Sequence, residues 1–137
     1  MKRILFFLLV AGSVVACKKS SQNPVVSLNI TGKWELHRRY GGNIIPADTT
    51  YQAGNGNIYQ FNSDNTYKSY QNGALTQQGT YQVKLYNNGY GMQQMSYYEL
   101  DLGNNSFVYL IRVNGGTLTL SPVMPDIGTT EYNKLAN

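Results

Sequence analysis

The chain has 137 residues, with 11 basic and 7 acidic side chains and a formal charge of +4. Lys2, Arg3, Lys18 and Lys19 all lie at the front end, so from residue 20 onward seven basic residues meet seven acidic ones, and no basic stripe remains to mark a nucleic-acid interface. A single cysteine excludes an intrachain disulfide, 12 tyrosines among many asparagines, glutamines and glycines point to exported β structure, and the length suits one domain.

The first element is Ile4 to Val15, an uncharged stretch of 12 residues behind Lys2 and Arg3. Its length fits a signal-peptide core and falls short of the roughly 20 residues that span a bilayer as a helix. Small residues lead into the lone cysteine, and Val14-Val15-Ala16-Cys17 resembles the lipobox of bacterial lipoproteins. That resemblance implies a signal peptide over residues 1–16, cleavage before Cys17, diacylglycerol on the Cys17 thiol and acylation of the new amino group. Each buried methylene contributes about 0.8 kcal/mol, and two or three chains anchor stably where one does not. Residues 17–27 read as a lipidated tether, since Lys18 to Asn23 are polar and lack an apolar period. The membrane is therefore the expected partner of this end. A lysine after the cysteine is compatible with outer-membrane sorting, and the lack of an acidic cluster leaves both the periplasmic and the cell-surface face open.

From residue 28 the chain reads as one all-β domain to residue 137. Ile30 to Tyr40 alternates, with Trp34, Leu36 and Tyr40 on one face and Lys33, Glu35, His37 and Arg39 on the other. Gly41 to Asn55 reads as a long polar connection. Strands follow at Asn57–Asn62 and Thr66–Gln71, separated by the turn Ser63-Asp64-Asn65. Asn72-Gly73 is a strong hairpin signal. Leu75–Tyr86 is the fourth strand, with Gly79 expected as a bulge or bend. Residues 87–94 form a glycine- and asparagine-rich loop. Met95–Leu102, Phe107–Val113, Thr117–Ser121 and Thr129–Leu135 complete the set, Phe107–Val113 being the most apolar and expected to be central. Eight short strands joined mostly by hairpin turns predict an antiparallel up-and-down meander. Closure into a small barrel removes its edges, and a β-sandwich is the competing solution.

Gly32-Lys33-Trp34 on the first strand matches the Gly-x-Trp feature of lipocalins. Residues 58–83, with "FNSDNTY" and "GTY", look like the repeated hairpins of lipocalin-like lipoproteins of Bacteroidota. The likeness spans roughly residues 28–135 and implies a non-enzymatic, cofactor-free envelope protein that binds a small hydrophobic or amphiphilic molecule. It also implies a basic residue packed across the tryptophan, for which Arg112 is the nearest candidate by position. No long helix flanks the final strand, a departure from the lipocalin pattern. The ligand-binding candidates are Trp34, Tyr59, Phe61, Tyr67 and Tyr81. The last four, with Val83, form a same-phase set on three successive strands. Each also reads as ordinary core, Trp34 as a plug at one barrel end. The competing functional class is a solid-core interaction module that contacts another envelope protein or a glycan.

Catalytic and metal chemistry finds little support. His37 is the only histidine, and no second histidine or further cysteine completes a ligand set. Asp64 sits in a run too short for a calcium loop and reads as a turn residue. Glu99 and Asp101 share a face with Tyr97 and read as a solvated edge. No Gly-x-Ser-x-Gly elbow or phosphate-binding glycine motif occurs. Asp48-Thr49-Thr50 resembles the short O-glycosylation signal of Bacteroidota, which makes Thr49 the candidate acceptor.

Overall fold

Residues 28–43, 48–86, 97–103 and 108–136 are described by a computed structural model. The signal stretch, Cys17, the tether, Pro46, residues 87–96 and Phe107 lie outside the described residues. The alternating stretches form strands close to their expected bounds: β1 (Gly32–Tyr40), β3 (Ile58–Phe61), β4 (Thr66–Gln71), β5 (Ala74–Tyr86), β6 (Tyr97–Leu102), β7 (Val108–Asn114), β8 (Thr117–Pro122) and β9 (Thr129–Lys134). The long first connection carries an unexpected two-residue strand, β2 (Thr49–Thr50), and one turn of 3-10 helix, Pro125–Ile127, sits before β9.

All neighbours are antiparallel, in the order β2-β1-β3-β4-β5-β6-β7-β8-β9. β1 also pairs with β9, from Trp34 opposite Lys134 to Tyr40 opposite Thr129. That seam closes the eight long strands into an up-and-down barrel and excludes the sandwich. Closure pairs the backbone edges of the first and last long strands, which would otherwise be open to aggregation.

The strand directions define two ends. At one, the chain enters through Ile30 and Gly32, beside the turns at 62–65 and 115–116. At the other lie residues 41–43 and 51–57 of the first connection, the Asn72-Gly73 turn and residues 123–128. The entry end is closed by side chains. Trp34 and Ile30 are each 1% exposed, and Trp34 Nε1 donates to Ile30 O at 2.7 Å. Lys134 Nζ lies 5.3 Å from the centre of the Trp34 ring, a cation–π contact. Lys134 therefore takes the place expected for Arg112. Arg112 is exposed on β7 instead, opposite Thr119. Gly32, at φ +130°, makes this approach feasible, since a Cβ there would lie 3.2 Å from Lys134 Cε.

Inside, Leu36, Phe61, Tyr67, Tyr81, Leu100, Leu102, Ile111, Leu118, Leu120 and Tyr132 are buried around the axis. Burying each such side chain contributes roughly 1.5–3 kcal/mol. Tyr59 and Phe61 stack at 5.7 Å, and Phe61 meets Tyr81 edge-on at 5.0 Å. The same-phase set thus shares the inner face as expected, and Glu99 and Asp101 alternate with buried Leu100 and Leu102. β7 sits between β6 and β8, with Val108 and Leu110 half-buried on its outer face.

Two irregularities depart from simple alternation. In β1 the register against β9 shifts between Leu36 and Arg38, so His37 is an extra, bulged residue. The bulge reverses the facing of everything after it: Arg39 turns to the barrel mouth beside Leu36, and Tyr40 shares the outer side with Arg38. This is the opposite of the expected assignment. In β5 the shift falls between Leu75 and Gln77, making Thr76 the extra residue, while Gly79 pairs regularly with Tyr67. The bulge expected at Gly79 is therefore at Thr76. Asp64 takes its turn role, its Oδ1 accepting from Thr66 N at 3.0 Å and Thr66 Oγ1 at 2.6 Å.

Candidate functional site

β3 pairs with β1 only along Gly32 to Glu35, and beyond that point the two strands diverge. Leu36 N still reaches Asn57 O at 2.8 Å, after which β2 takes over opposite Arg38 and Arg39. The connection from Tyr51 to Asn57 is held against β1 by Glu35. Its Oε2 accepts from Gly54 N at 2.8 Å and its Oε1 from Gly56 N at 3.1 Å, which leaves the side chain only 6% exposed. Gly56 itself, at φ +71°, lies so close to the next hairpin that a Cβ would sit 2.6 Å from Gly73 N.

A half-open cavity of about 190 Å³ lies at this end, where β1, β3, β4, β5 and β9 meet. Leu36, Tyr59 and Tyr132 stand on its inner side, and Arg39, Asn57, Ser69, Gln71 and Thr76 help make most of its exposed lining polar. Tyr59 and Tyr132 pack edge-on at 5.4 Å. Arg39 Cζ stands 5.8 Å from the centre of the Tyr51 ring. Among the described residues, Arg39 Nε and the Tyr67 hydroxyl are buried without a hydrogen-bond partner. A buried polar group left this way costs about 1–3 kcal/mol; of the two residues, Arg39 lines the cavity and Tyr67 lies deeper in the barrel.

Burial disfavours the phenolate at two tyrosines of the cavity wall, Tyr59 and Tyr132. Burial pushes Tyr132 up to about 12, against the opposing pull of the Thr130 hydroxyl and the Arg39 charge. Burial also raises Tyr59, reinforced by the phenols of Tyr132, Tyr109 and Tyr67. Tyr67 rises through burial and then through Tyr109. The charged side chain of the lining is Arg39.

Of the expected ligand contacts, only Tyr59 lines this cavity. Trp34 plugs the opposite end. Phe61, Tyr67 and Tyr81 pack within the barrel, the Tyr81 hydroxyl donating to Asn62 O at 2.9 Å. Thr49 lies half-buried in β2 opposite Arg39, and Asp48 beside it pairs with Arg38, whose Nε donates to Asp48 Oδ1 at 2.7 Å. Arg39 and Tyr132 are the residues that sequence reasoning missed. Tyr132 is the only aromatic residue of the last strand, a signal that was available. Arg39 was hidden by the bulge.

Comparison with protein-family models, curated proteins and solved structures returns no match to this chain.

Proposed function

We propose that this chain is a non-enzymatic lipoprotein of a Bacteroidota-type envelope, anchored to the outer membrane through Cys17, whose lipocalin-like barrel binds a small hydrophobic or amphiphilic molecule at its mouth. The reading is carried by the cavity of about 190 Å³ between Leu36, Tyr59 and Tyr132. Leu36, Tyr59 and Tyr132 offer a guest apolar contact, and the polar groups that make up most of the lining fix its orientation. A cavity of about 150 Å³ accommodates benzene, so the enclosed part of a guest has roughly six to ten non-hydrogen atoms. The anchor reading is supported by the lipobox-like segment and the lone Cys17.

The test takes the full chain expressed in a Gram-negative host with labelled palmitate. Wild type incorporates label and fractionates with the outer membrane, and Cys17→Ala does neither. Wild type purified into lipid nanodiscs is then titrated with hexanol and hexanoate, and saturable binding of either supports the carrier reading. A second reading, an interaction module for an envelope protein or glycan, is favoured by the tight packing of Trp34, Phe61, Tyr67 and Tyr81 below the mouth. It predicts no saturable binding of either probe and stoichiometric recovery of one partner. Glycosylation at Thr49 predicts a glycan mass on the peptide that carries it, and unmodified native peptide removes that part of the reading.

A further inference from the structure

We infer that the mouth is a carboxylate site, in which Arg39 takes the head of a small monocarboxylate and Leu36, Tyr59 and Tyr132 take its apolar body. The inference rests on the carrier reading above and names the ligand class.

Four observations carry it. The His37 bulge turns Arg39 from the outer face to the cavity, placing a guanidinium beside apolar Leu36 and the Tyr59–Tyr132 pair. Arg39 Nε is buried without a partner, and no carboxylate pairs with Arg39 among the described residues. Its neighbour makes the contrast: Arg38, one residue earlier and on the outer face, is paired with Asp48 through two nitrogens. Every other residue lining the cavity is uncharged, so the site holds a single positive charge.

Those facts select the chemistry. A guanidinium presents a planar fork that matches an oxyanion in two parallel hydrogen bonds. One cation balances a monoanion. A phosphate dianion in the same partly dehydrated site would leave a charge uncompensated, which is costly. The surrounding phenols, like any tyrosine well below pH 10, add no competing negative charge. The volume restricts the body to a short alkyl chain or a single ring.

The experiment uses the full lipidated chain in nanodiscs and compares hexanoate with its neutral isostere hexanamide by calorimetry near pH 7. Hexanoate is expected to bind roughly tenfold to a hundredfold more tightly than the amide, the range of a charge-assisted hydrogen bond. Arg39→Met is expected to bring hexanoate down to the affinity of the amide and to leave the amide unchanged. Arg39→Lys retains part of the preference, and Arg38→Met on the outer face changes neither. Equal binding of acid and amide by wild type overturns the carboxylate assignment while the carrier reading stands, and this holds even where Arg39→Met fails to fold. Displacement of hexanoate by millimolar inorganic phosphate at equal or better affinity overturns the choice of a monocarboxylate. Failure of wild type to bind either probe removes the carrier reading and this inference with it.

Discussion

Tyr132 and Tyr59 carry a cost that appears only in alkali. An exposed tyrosine ionises near 10, and burial pushes Tyr132 up to about 12, with Tyr59 raised in the same sense by burial and by the neighbouring phenols. The folded chain therefore keeps protons that the unfolded chain releases. The stability these groups contribute is intact below about pH 10 and is lost as the pH rises toward 12, with a slope approaching 1.4 kcal/mol per pH unit for each such tyrosine. Urea midpoints measured from pH 7 to 12 are expected to stay level with respect to these groups up to about 9 and then to fall. Phenolate absorbance should show exposed tyrosines titrating first and a retarded class after them. A midpoint indifferent to pH across that range would mean that the two phenols are wet in the folded state. At this scale the inner positions of Tyr59, Phe61, Tyr67 and Tyr81 were legible because alternation within one strand is local. The cation over Trp34 was not, because Lys134 reaches it only through a strand pairing across the barrel seam.

Strands and turns were legible wherever the signal is short-range. Asn72-Gly73 and Asn114-Gly115-Gly116 supply the positive-φ residues that tight hairpins need, Asn72 at +50°, Gly73 at +81° and Gly115 at +57°. The bulges at His37 and Thr76 were illegible for the converse reason. A bulge at a residue other than glycine leaves no local mark, since it is decided by how two strands must fit around the barrel. One inserted residue reverses every side chain beyond it, so counting by twos through β1 sent Arg39 to the wrong face. The 51–57 connection is a further element whose conformation is set from afar, by the Glu35 carboxylate accepting two of its backbone amides. Glu35→Gln replaces one acceptor oxygen by a donor facing an N–H group. The expected outcome is a loss of about 1–3 kcal/mol. Amide exchange at Gly54 and Gly56 should accelerate at least tenfold, while Leu100 and Leu118 in the core keep their protection. Unchanged exchange at both glycines would show that the connection is held by its other contacts, such as Tyr51 N to His37 O at 2.8 Å.

The whole molecule depends on one long-range pairing. Each long strand otherwise pairs with its neighbour in the chain, but the seam joins Trp34 to Lys134 and Tyr40 to Thr129, close to a hundred residues apart. Hairpin signals alone leave a meander free to stay open or to fold into two sheets, which is why barrel and sandwich competed on sequence grounds. What selects closure is the fit of the ends: Trp34 from β1 and Lys134 from β9 meet at the entry end, and Leu36 and Tyr132 pair at mid-seam. Trp34 is the only tryptophan, so its fluorescence reports the seam directly, whereas far-UV circular dichroism reports all strands together. If the seam is integral to the core, the two signals lose structure at the same urea concentration with one slope, as a two-state transition requires. Lys134→Ala should shift both midpoints down together by an amount in the range of about 0.5–1 kcal/mol for an exposed cation–π contact. A Trp34 transition that precedes the dichroism change would show β1 and β9 parting while the meander persists. The mouth, built from β1 and β9 residues together with β3, β4 and β5, would then lose its Arg39–Tyr132 wall before the rest of the barrel unfolds.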